Sequence, residues 1–343
     1  MIIVRISSGL GNQLFQYAFY NLMKKTYPET EVYADVTTWF NKNSEHHGYE
    51  LENIFSNVEN SLFEINRASA GNMWKTTGII PNMYTGSFGK KWDKVLRYPN
   101  RVIREFTEKS VEPYILDQLD GSLSNEDLID ENGKVRNAFF EKVMNLDTSK
   151  NWLITGYYIE EKYYESVHDL LLDKLVFPDF NRVVGNITSE NQSQVNRNKE
   201  YAELIQSSDS VSLHVRRGDY LSDFYKDRFI SLGEEYYKKA VEYIDGITSG
   251  RAKYFIFSDD KEFVENAFDW LPNKVIVTGN EGTNSFRDMQ LMSLCKHNII
   301  ANSTFSQWGS LLNKNKNHKT VYPKAYMADK DNEIKKDQNW IRL

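Results

Sequence analysis

Arg216 and Arg217 stand side by side at the end of an apolar run, VSLHV, with His214 before them and Asp219 after them in the stretch HVRRGDY. A guanidinium in such a place is costly unless an anion meets it, and its forked N–H donors fit the oxygens of a phosphate. An internal alternative stays open, in which Asp219 orients one arginine while the other faces a ligand. Two more polar clusters follow apolar runs: Ser258, Asp259 and Asp260 after YFIF, and Asn302, Ser303, Thr304, Phe305 and Ser306 after NIIA. Ser303 and Thr304 suit the first turn of a helix, where they either cap it or, with its free N–H groups, cradle a phosphate. Asp259 either caps the helix that follows it or accepts from the amino and imino groups of a guanine. His214 and Phe305 are residue types that contact or stack on a base. Each cluster alone has a structural explanation; the three together sketch a nucleoside diphosphate site.

Such clusters need a frame that brings them to one edge. A helix over 199–206 leads into VSLHV, and helices around 233–245, 261–269 and 286–296 lead into KYFIFSDD, KVIVTG and HNIIAN. STFSQWGSLLN then starts a helix, and KTVYP is a last short strand. This alternation predicts a parallel, doubly wound sheet. Ligands bind beyond the carboxyl ends of the strands in such sheets, where all three clusters fall. In the first half, residues 1–7 read as a strand, GLGNQ as a glycine-rich turn, LFQYAFYNLMKKTY as a helix, and EVYADV and NWLITGYY as strands. GLGNQLFQ lacks the Gly-Lys-Ser/Thr ending of a P-loop and departs from the dinucleotide fingerprint. A tight turn packed on its own helix is its plain reading. Residues 40–110 are aromatic-rich without clear elements, 121–150 read as an acidic helix, and the Asn- and Ser-rich stretch 180–200 as a surface loop or a domain approach. We expect domains at 1–165 and 166–325 and a tail at 326–343.

The chain has 343 residues, 40% of them apolar, enough for a sizeable core. Its net charge of −6 argues against a nucleic-acid partner. The single cysteine, Cys295, makes neither an internal disulfide nor a cysteine-cluster metal site. No stretch reads as a signal peptide or a membrane helix, so the expectation is a soluble, cytoplasmic chain.

The motifs taken together resemble a known family. HVRRGDY is similar to the His-x-Arg-Arg-x-Asp motif of fucosyltransferases that use GDP-fucose. GLGNQLFQYA (9–18), HHGYEL (46–51), TGYYIEEKYY (155–164), FSDD (257–260) and DMQLMSLCKHNIIANSTFSQWGSLLN (288–313) resemble, in order, the bacterial α-1,2-fucosyltransferases of glycosyltransferase family 11. The resemblance implies a GT-B fold, two Rossmann-like domains facing across a cleft. It implies inverting transfer of L-fucose from GDP-β-L-fucose to the 2-hydroxyl of a terminal galactoside in a glycan precursor, with no metal and no cofactor. By the same resemblance Arg216 and Arg217 contact the diphosphate and His214 and Asp259 the guanine. Ser303, Thr304 and Phe305 lie on the nucleotide, and Gly11, Asn12 and Gln13 face the donor. A cytoplasmic bacterial enzyme, at most peripheral to the inner membrane, fits that setting. Gln307, Ser310 and Leu311 depart from the family's usual STFSWW-Gly-Ala-Trp-Leu, and GYYIE from Gly-Tyr-Trp-Gln, which bears on the acceptor and on the donor sugar. Transfer of another GDP-6-deoxy sugar, a metal-dependent transferase using Asp259 and Asp260, and a non-catalytic binding protein of the same fold are the alternatives.

The reaction needs charge stabilisation on the leaving GDP, which two arginines and a helix N-terminus supply, and gains roughly 10²–10⁴-fold from a base. Asp219 is the nearest motif carboxylate and is assigned with the arginines to catalysis. Asp35, Glu50 and Asp288 are further candidates for the base, each with a structural explanation.

Overall fold

A computed structural model describes residues 1–37, 47–56, 58–77, 114–119, 123, 128–129, 135–182, 189–218, 220, 229–327, 330–331 and 338–343. In chain order the first elements are β1 (Ile2–Arg5), α1 (Leu10–Thr26), β2 (Val32–Asp35), α2 (Leu51–Phe55) and α3 (Ala70–Thr77). Then come β3 (Tyr114–Asp117), β4 (Leu128–Ile129), β5 (Val135–Arg136), α4 (Ala138–Val143), β6 (Trp152–Thr155) and α5 (His168–Lys174). The second half holds α6 (Ser189–Gln206), β7 (Asp209–Val215), α7 (Glu234–Thr248), β8 (Ala252–Ser258), α8 (Lys261–Ala267) and β9 (Lys274–Ile276). It ends with α9 (Phe286–Leu294), β10 (His297–Ile299), α10 (Thr304–Leu311), β11 (Thr320–Tyr322), β12 (Ala325–Met327), β13 (Lys330–Asp331) and β14 (Trp340–Arg342).

The described chain forms two compact units, Met1–Leu51 with Leu62–Leu171, and Glu52–Ser61 with Leu172–Leu343. Unit 1 is built on a four-stranded sheet in the order β2-β1-β6-β3, with every pairing parallel. β1 is apolar on both faces, and Ile2, Ile3 and Val4 are fully buried, as a central parallel strand requires. α1 crosses back over β1 and β2 and buries Leu14, Phe15, Ala18, Phe19 and Leu22 at helical spacing. Lys24 and Lys25 close its last turn, where a cation is favoured by the helix dipole. Phe19 stacks on the buried Tyr158, ring centroids 3.8 Å apart.

Unit 2 carries a six-stranded, all-parallel sheet in the order β14-β11-β10-β7-β8-β9. Numbered within the unit this is the doubly wound order 3-2-1-4-5-6 read from β9 to β14. Its switch point lies between β7 and β10, where the chain changes direction of winding. One core on a face of this sheet joins Val211, Leu213, Ile256 and Ile299 to Tyr237, Ala240 and Ile244 of α7. Another joins Phe255 and Phe257 to Ala202, Ile205, Leu291 and Met292 of α6 and α9.

Three elements differ from the reading of the sequence. The stretch expected to be a loop up to residue 199 is helical from Ser189. Val195, Asn198, Ala202 and Ile205 are its buried stripe, so one buried position is an asparagine and the apolar period is thin. Within 121–150 the short antiparallel pair β4–β5 precedes α4, in place of one long helix. Residues of the expected tail form β14, which pairs in parallel with β11 at the edge of the sheet. Most of 40–110 lies outside the described residues.

Candidate active site

β7 and β8 pair in register up to Val215 opposite Ser258. The residues that leave these strands therefore meet. Arg216 Nη1 lies 2.8 Å from Asp259 Oδ2, and Arg217 Nε lies 3.2 Å from Asp260 Oδ2. The Arg217 backbone N–H also donates to Asp259 Oδ1 at 3.0 Å. Arg217 is held flat, its guanidinium 3.6 Å from the centre of the Phe263 ring, a favourable cation–π geometry. Its Nη groups make no hydrogen bond among the described residues, so the two-pronged end of the fork is left open while Nε and the ring fix its plane. Gly218 belongs to the same construction. A Cβ there would stand 2.8 Å from Asp259 Oδ2, and only glycine lets the backbone pass the ion pair.

The expectation that Asp259 caps the following helix is corrected. Asp260 is the N-cap of α8, its carboxylate accepting from the Phe263 N–H at 3.0 Å. Asp260 thus caps a helix and orients an arginine at once, and Asp259 is left to the two arginines. Both Asp259 oxygens hold one partner each, and a carboxylate has lone pairs for more. Asp219 lies outside the described residues.

Across the switch point, β10 pairs with β7 up to Ile299 opposite Leu213. Ser303 is the N-cap of α10, and its side chain makes no capping bond, so its hydroxyl is not spent on the helix. Phe305, in the first turn, faces His214 with ring centroids 6.0 Å apart and planes 39° from parallel. Tyr220 ties the two strand ends together by donating to the Asn302 carbonyl at 2.7 Å. His214 is buried, and its Nδ1 has no hydrogen-bond partner among the described residues. Burial pulls its pKa down to about 4; Asp259 opposes the fall and Arg216 adds to it. The ring is neutral at pH 7, with one nitrogen to donate and one to accept. Tyr237 donates to the His214 carbonyl at 3.2 Å. His214, Arg216, Arg217, Asp259, Ser303, Thr304 and Phe305 thus share one edge. Asp260, Phe263 and Tyr220 join them. Only Asp260 carried a signal in the sequence, as an aspartate just before a helical run.

Gly11, Asn12 and Gln13 belong to unit 1. The helix begins at Leu10, so these three form the first turn of α1 in place of a loop. Asn12 Nδ2 donates to Ser8 Oγ at 2.9 Å. Gln13 is fully buried and engaged at both ends of its amide: Nε2 donates to the carbonyls of Ser8 at 3.0 Å and Gly48 at 2.9 Å. Its Oε1 accepts from the Glu50 N–H at 3.0 Å. Gln13 therefore holds neighbouring loops, with both its amide hydrogens engaged and its carbonyl oxygen accepting one bond. Among the described residues no three His, Cys, Asp or Glu side chains are grouped to hold a metal ion, and no helix is long and apolar enough to cross a membrane.

A doubly wound unit with polar groups gathered at its switch point is the architecture of nucleotide-using α/β proteins. The chain belongs to glycosyl transferase family 11, whose sequence profile matches residues 125–343. It is 27% identical over 351 residues to the O-antigen biosynthesis glycosyltransferase WbnK of Escherichia coli, covering 98% of this chain and 99% of that protein. It is 26% identical over 323 residues to an alpha-1,2-colitosyltransferase of the same species, covering 91% of this chain and 87% of that one. Among solved structures it is similar to the fucosyltransferase NodZ from Bradyrhizobium, at 15% identity and a TM-score of 0.49, with 91% and 92% of the two chains covered.

Proposed function

We propose that this glycosyltransferase moves L-fucose from GDP-β-L-fucose to the 2-hydroxyl of a terminal galactoside, with inversion at the sugar carbon. The observation that carries the reading is the adjacency of β10, β7 and β8, which brings an open-forked arginine, an uncommitted Ser303 hydroxyl at a helix N-terminus and a neutral histidine beside a phenylalanine to one edge. The acceptor oxygen attacks C1 from the face opposite the phosphate. The C1–O bond breaks, and its electron pair leaves with GDP. Charge grows on the diphosphate, and the Arg217 fork and the first turn of α10 meet that charge without reorganising. Arg216, paired with Asp259, supports the same edge. His214 and Phe305 hold the base, with Asp259 accepting from guanine through its remaining lone pairs.

The relative named for O-antigen biosynthesis supports a glycan precursor as the acceptor. The relative named alpha-1,2-colitosyltransferase favours a second reading, transfer of a different GDP-linked deoxy sugar. Turnover of GDP-fucose and GDP-colitose by the whole chain over a panel of galactosides, with and without excess chelator, tests both. Galactoside-dependent GDP release from GDP-fucose that survives chelation is the expected result. Release only from GDP-colitose selects the second reading, and loss of release with chelator overturns the metal-free mechanism.

A further inference from the structure

The sheet of unit 2 has a second edge, opposite the one that gathers Arg217, His214 and Ser303, and its chemistry is different. The strands are parallel, so the turns that enter them share this amino edge. The turns entering β7 to β11 (207–209, 249–252, 268–274, 295–297 and 312–320) hold six basic residues, Arg251, Lys274, Lys296, Lys314, Lys316 and Lys319, against two acidic ones, Asp209 and Asp269. The chain as a whole carries −6, so this excess of cations runs against its composition.

The two acids do not neutralise the edge. Asp209 is shared, 3.2 Å from Arg251 Nε and 2.7 Å from Lys296 Nζ, and Asp269 pairs with Lys274 at 3.4 Å. Lys319 Nζ donates to the neutral Asn339 Oδ1 at 2.7 Å. Lys314 and Lys316 are exposed and make no ion pair among the described residues. Two apolar side chains stand among these cations. α7 and α9 lead into β8 and β10 and so end at the same edge, where Ile247 is 44% exposed and Leu294 37% exposed. The Arg251 N–H donates to the carbonyl of Thr248, the neighbour of Ile247, at 3.2 Å, and Lys296 follows Leu294 by two residues.

A single small anion needs donors that converge on it. Arg251, Lys296 and Lys319 enter β8, β10 and β11, and β7 lies between β8 and β10, so these charges spread across about 15 Å. A row of cations interspersed with aliphatic side chains fits a broad negative surface that is apolar beneath, as in a bilayer containing anionic lipids. A soluble polyanion offers nothing to Ile247 and Leu294.

We propose that the amino edge of the unit 2 sheet is a docking surface for an anionic lipid bilayer, with Arg251, Lys296, Lys314 and Lys316 on the headgroup phosphates and Ile247 and Leu294 entering the headgroup layer. The donor-site residues lie at the other end of the strands, about 20 Å away along the seven residues of β7, so lipid and nucleotide bind without competing. The assignment holds whichever GDP-linked sugar the enzyme transfers.

Vesicle flotation of the whole chain tests it. At low salt the chain should float with vesicles of equal parts phosphatidylcholine and phosphatidylglycerol and stay behind with pure phosphatidylcholine. Raising the salt should release it, because screening shortens the reach of surface charge. Lys314→Glu combined with Lys316→Glu should weaken vesicle affinity by about 25-fold or more, at about fivefold for each cation removed, with melting temperature and GDP affinity at wild-type values. Ile247→Ser combined with Leu294→Ser should weaken it severalfold and leave the salt dependence in place. Wild-type chain that stays behind with the mixed vesicles overturns the proposal. So does equal flotation with pure phosphatidylcholine, and so does either pair of substitutions if the variant floats as the wild type does. If the glutamate pair melts early, Lys314→Gln with Lys316→Gln is judged by the same comparison. Lysine-dependent dimers without flotation assign the edge to a second copy of the chain and overturn the lipid reading.

Discussion

The two units have parallel sheets with polar residues just beyond the carboxyl ends of their strands, yet they spend those residues differently. In unit 1, Gln13 and Gln16 are buried and bonded to the loops around them, and Arg5 is closed on Asp35. In unit 2, Arg217 keeps its Nη groups open, His214 keeps an unpartnered ring nitrogen, and Ser303 does not spend its hydroxyl on capping. Residue type and strand-end position are the same kind of signal in both places. Internal saturation is what separates a scaffold from a site, and it is set by geometry that a linear pattern does not carry. The unit 1 edge is not wholly closed: Glu50 Oε1, Thr155 Oγ1 and Tyr158 Oη are buried without a hydrogen-bond partner among the described residues.

The sharpest way to break this comparison is Arg217→Lys. Lysine keeps the charge and loses the fork and the stacking on Phe263. If Arg217 stabilises charge on the departing diphosphate, the single-turnover rate should fall by about 10²–10³-fold, roughly 3–4 kcal/mol. The loss should appear in kcat as well as KM, and the melting temperature should hold. A variant that melts early but turns over normally once folded would make Arg217 scaffolding like Arg5, and the contrast between the units would collapse.

Asp259→Asn should have the next largest effect. The amide can no longer accept at both oxygens, so the pair with Arg216 or the bond from the Arg217 N–H is lost. Its remaining capacity toward guanine goes with it. GDP affinity should weaken by the worth of a charged hydrogen bond, roughly 1.5–3 kcal/mol, and discrimination against ADP should relax. Calorimetric titration with both nucleotides reads it. Undiminished GDP binding by a folded variant would leave Asp259 as a partner for the arginines alone.

Gln13→Ala probes the bonded part of the unit 1 edge. Three buried hydrogen bonds disappear and leave the Ser8 and Gly48 carbonyls and the Glu50 N–H unsatisfied. The expected loss is about 1–3 kcal/mol of stability, read as a fall of several degrees in melting temperature. An unchanged melting temperature would show that the carboxamide is not the clamp described, and that unit 1 is as open as unit 2.

Much of unit 2 was legible in the sequence because β7, β8 and β10 lie in short stretches rich in Val, Ile, Leu or Phe that are followed by polar residues, and the parallel alternation dictates that those residues share an edge. The order of strands was not legible. The switch point between β7 and β10 depends on which side the chain crosses to after β9, and nothing in HNIIAN states it. The part of α6 before residue 199 was read as a loop because Asn198, buried against Asn280, occupies a place in its stripe where an apolar residue would have revealed the period. β14 was missed because three residues at the end of a tail carry too little pattern. In unit 1, GLGNQ was read as a turn before a helix, whereas Leu10–Gln13 are already the first turn of α1 and only Gly9 precedes it. That Gln13 faces inward was not legible, since the residues it binds lie as far off as Gly48 and Glu50. Asp219 carried a catalytic expectation and lies outside the described residues.

The smallest expected effect concerns His214, and its sign follows from its surroundings. In the folded chain burial holds its pKa at about 4, Asp259 pulling it up and Arg216 pushing it down, against 6.5 for an ordinary histidine. The folded state therefore prefers the neutral ring. Between pH 6.5 and 4 the unfolded chain takes up a proton there that the folded chain does not, so this residue's contribution, fully present above 6.5, is lost as pH falls across that window. Glu50 works in the opposite sense, because its raised pKa lets the folded state bind a proton first between about 7 and 4.5. The two partly cancel in the wild-type curve, and the variant must be compared with wild type at each pH. Glutamine at position 214 cannot titrate. Melting temperatures of His214→Gln and the wild-type chain, measured in steps from pH 7.5 to 4.5, should converge or cross as the solution is acidified, because only the wild type loses stability at this residue. Parallel curves would mean that His214 takes a proton as readily folded as unfolded. Its ring would then be open to water, and the neutral base-contacting edge assigned to unit 2 would lose its histidine.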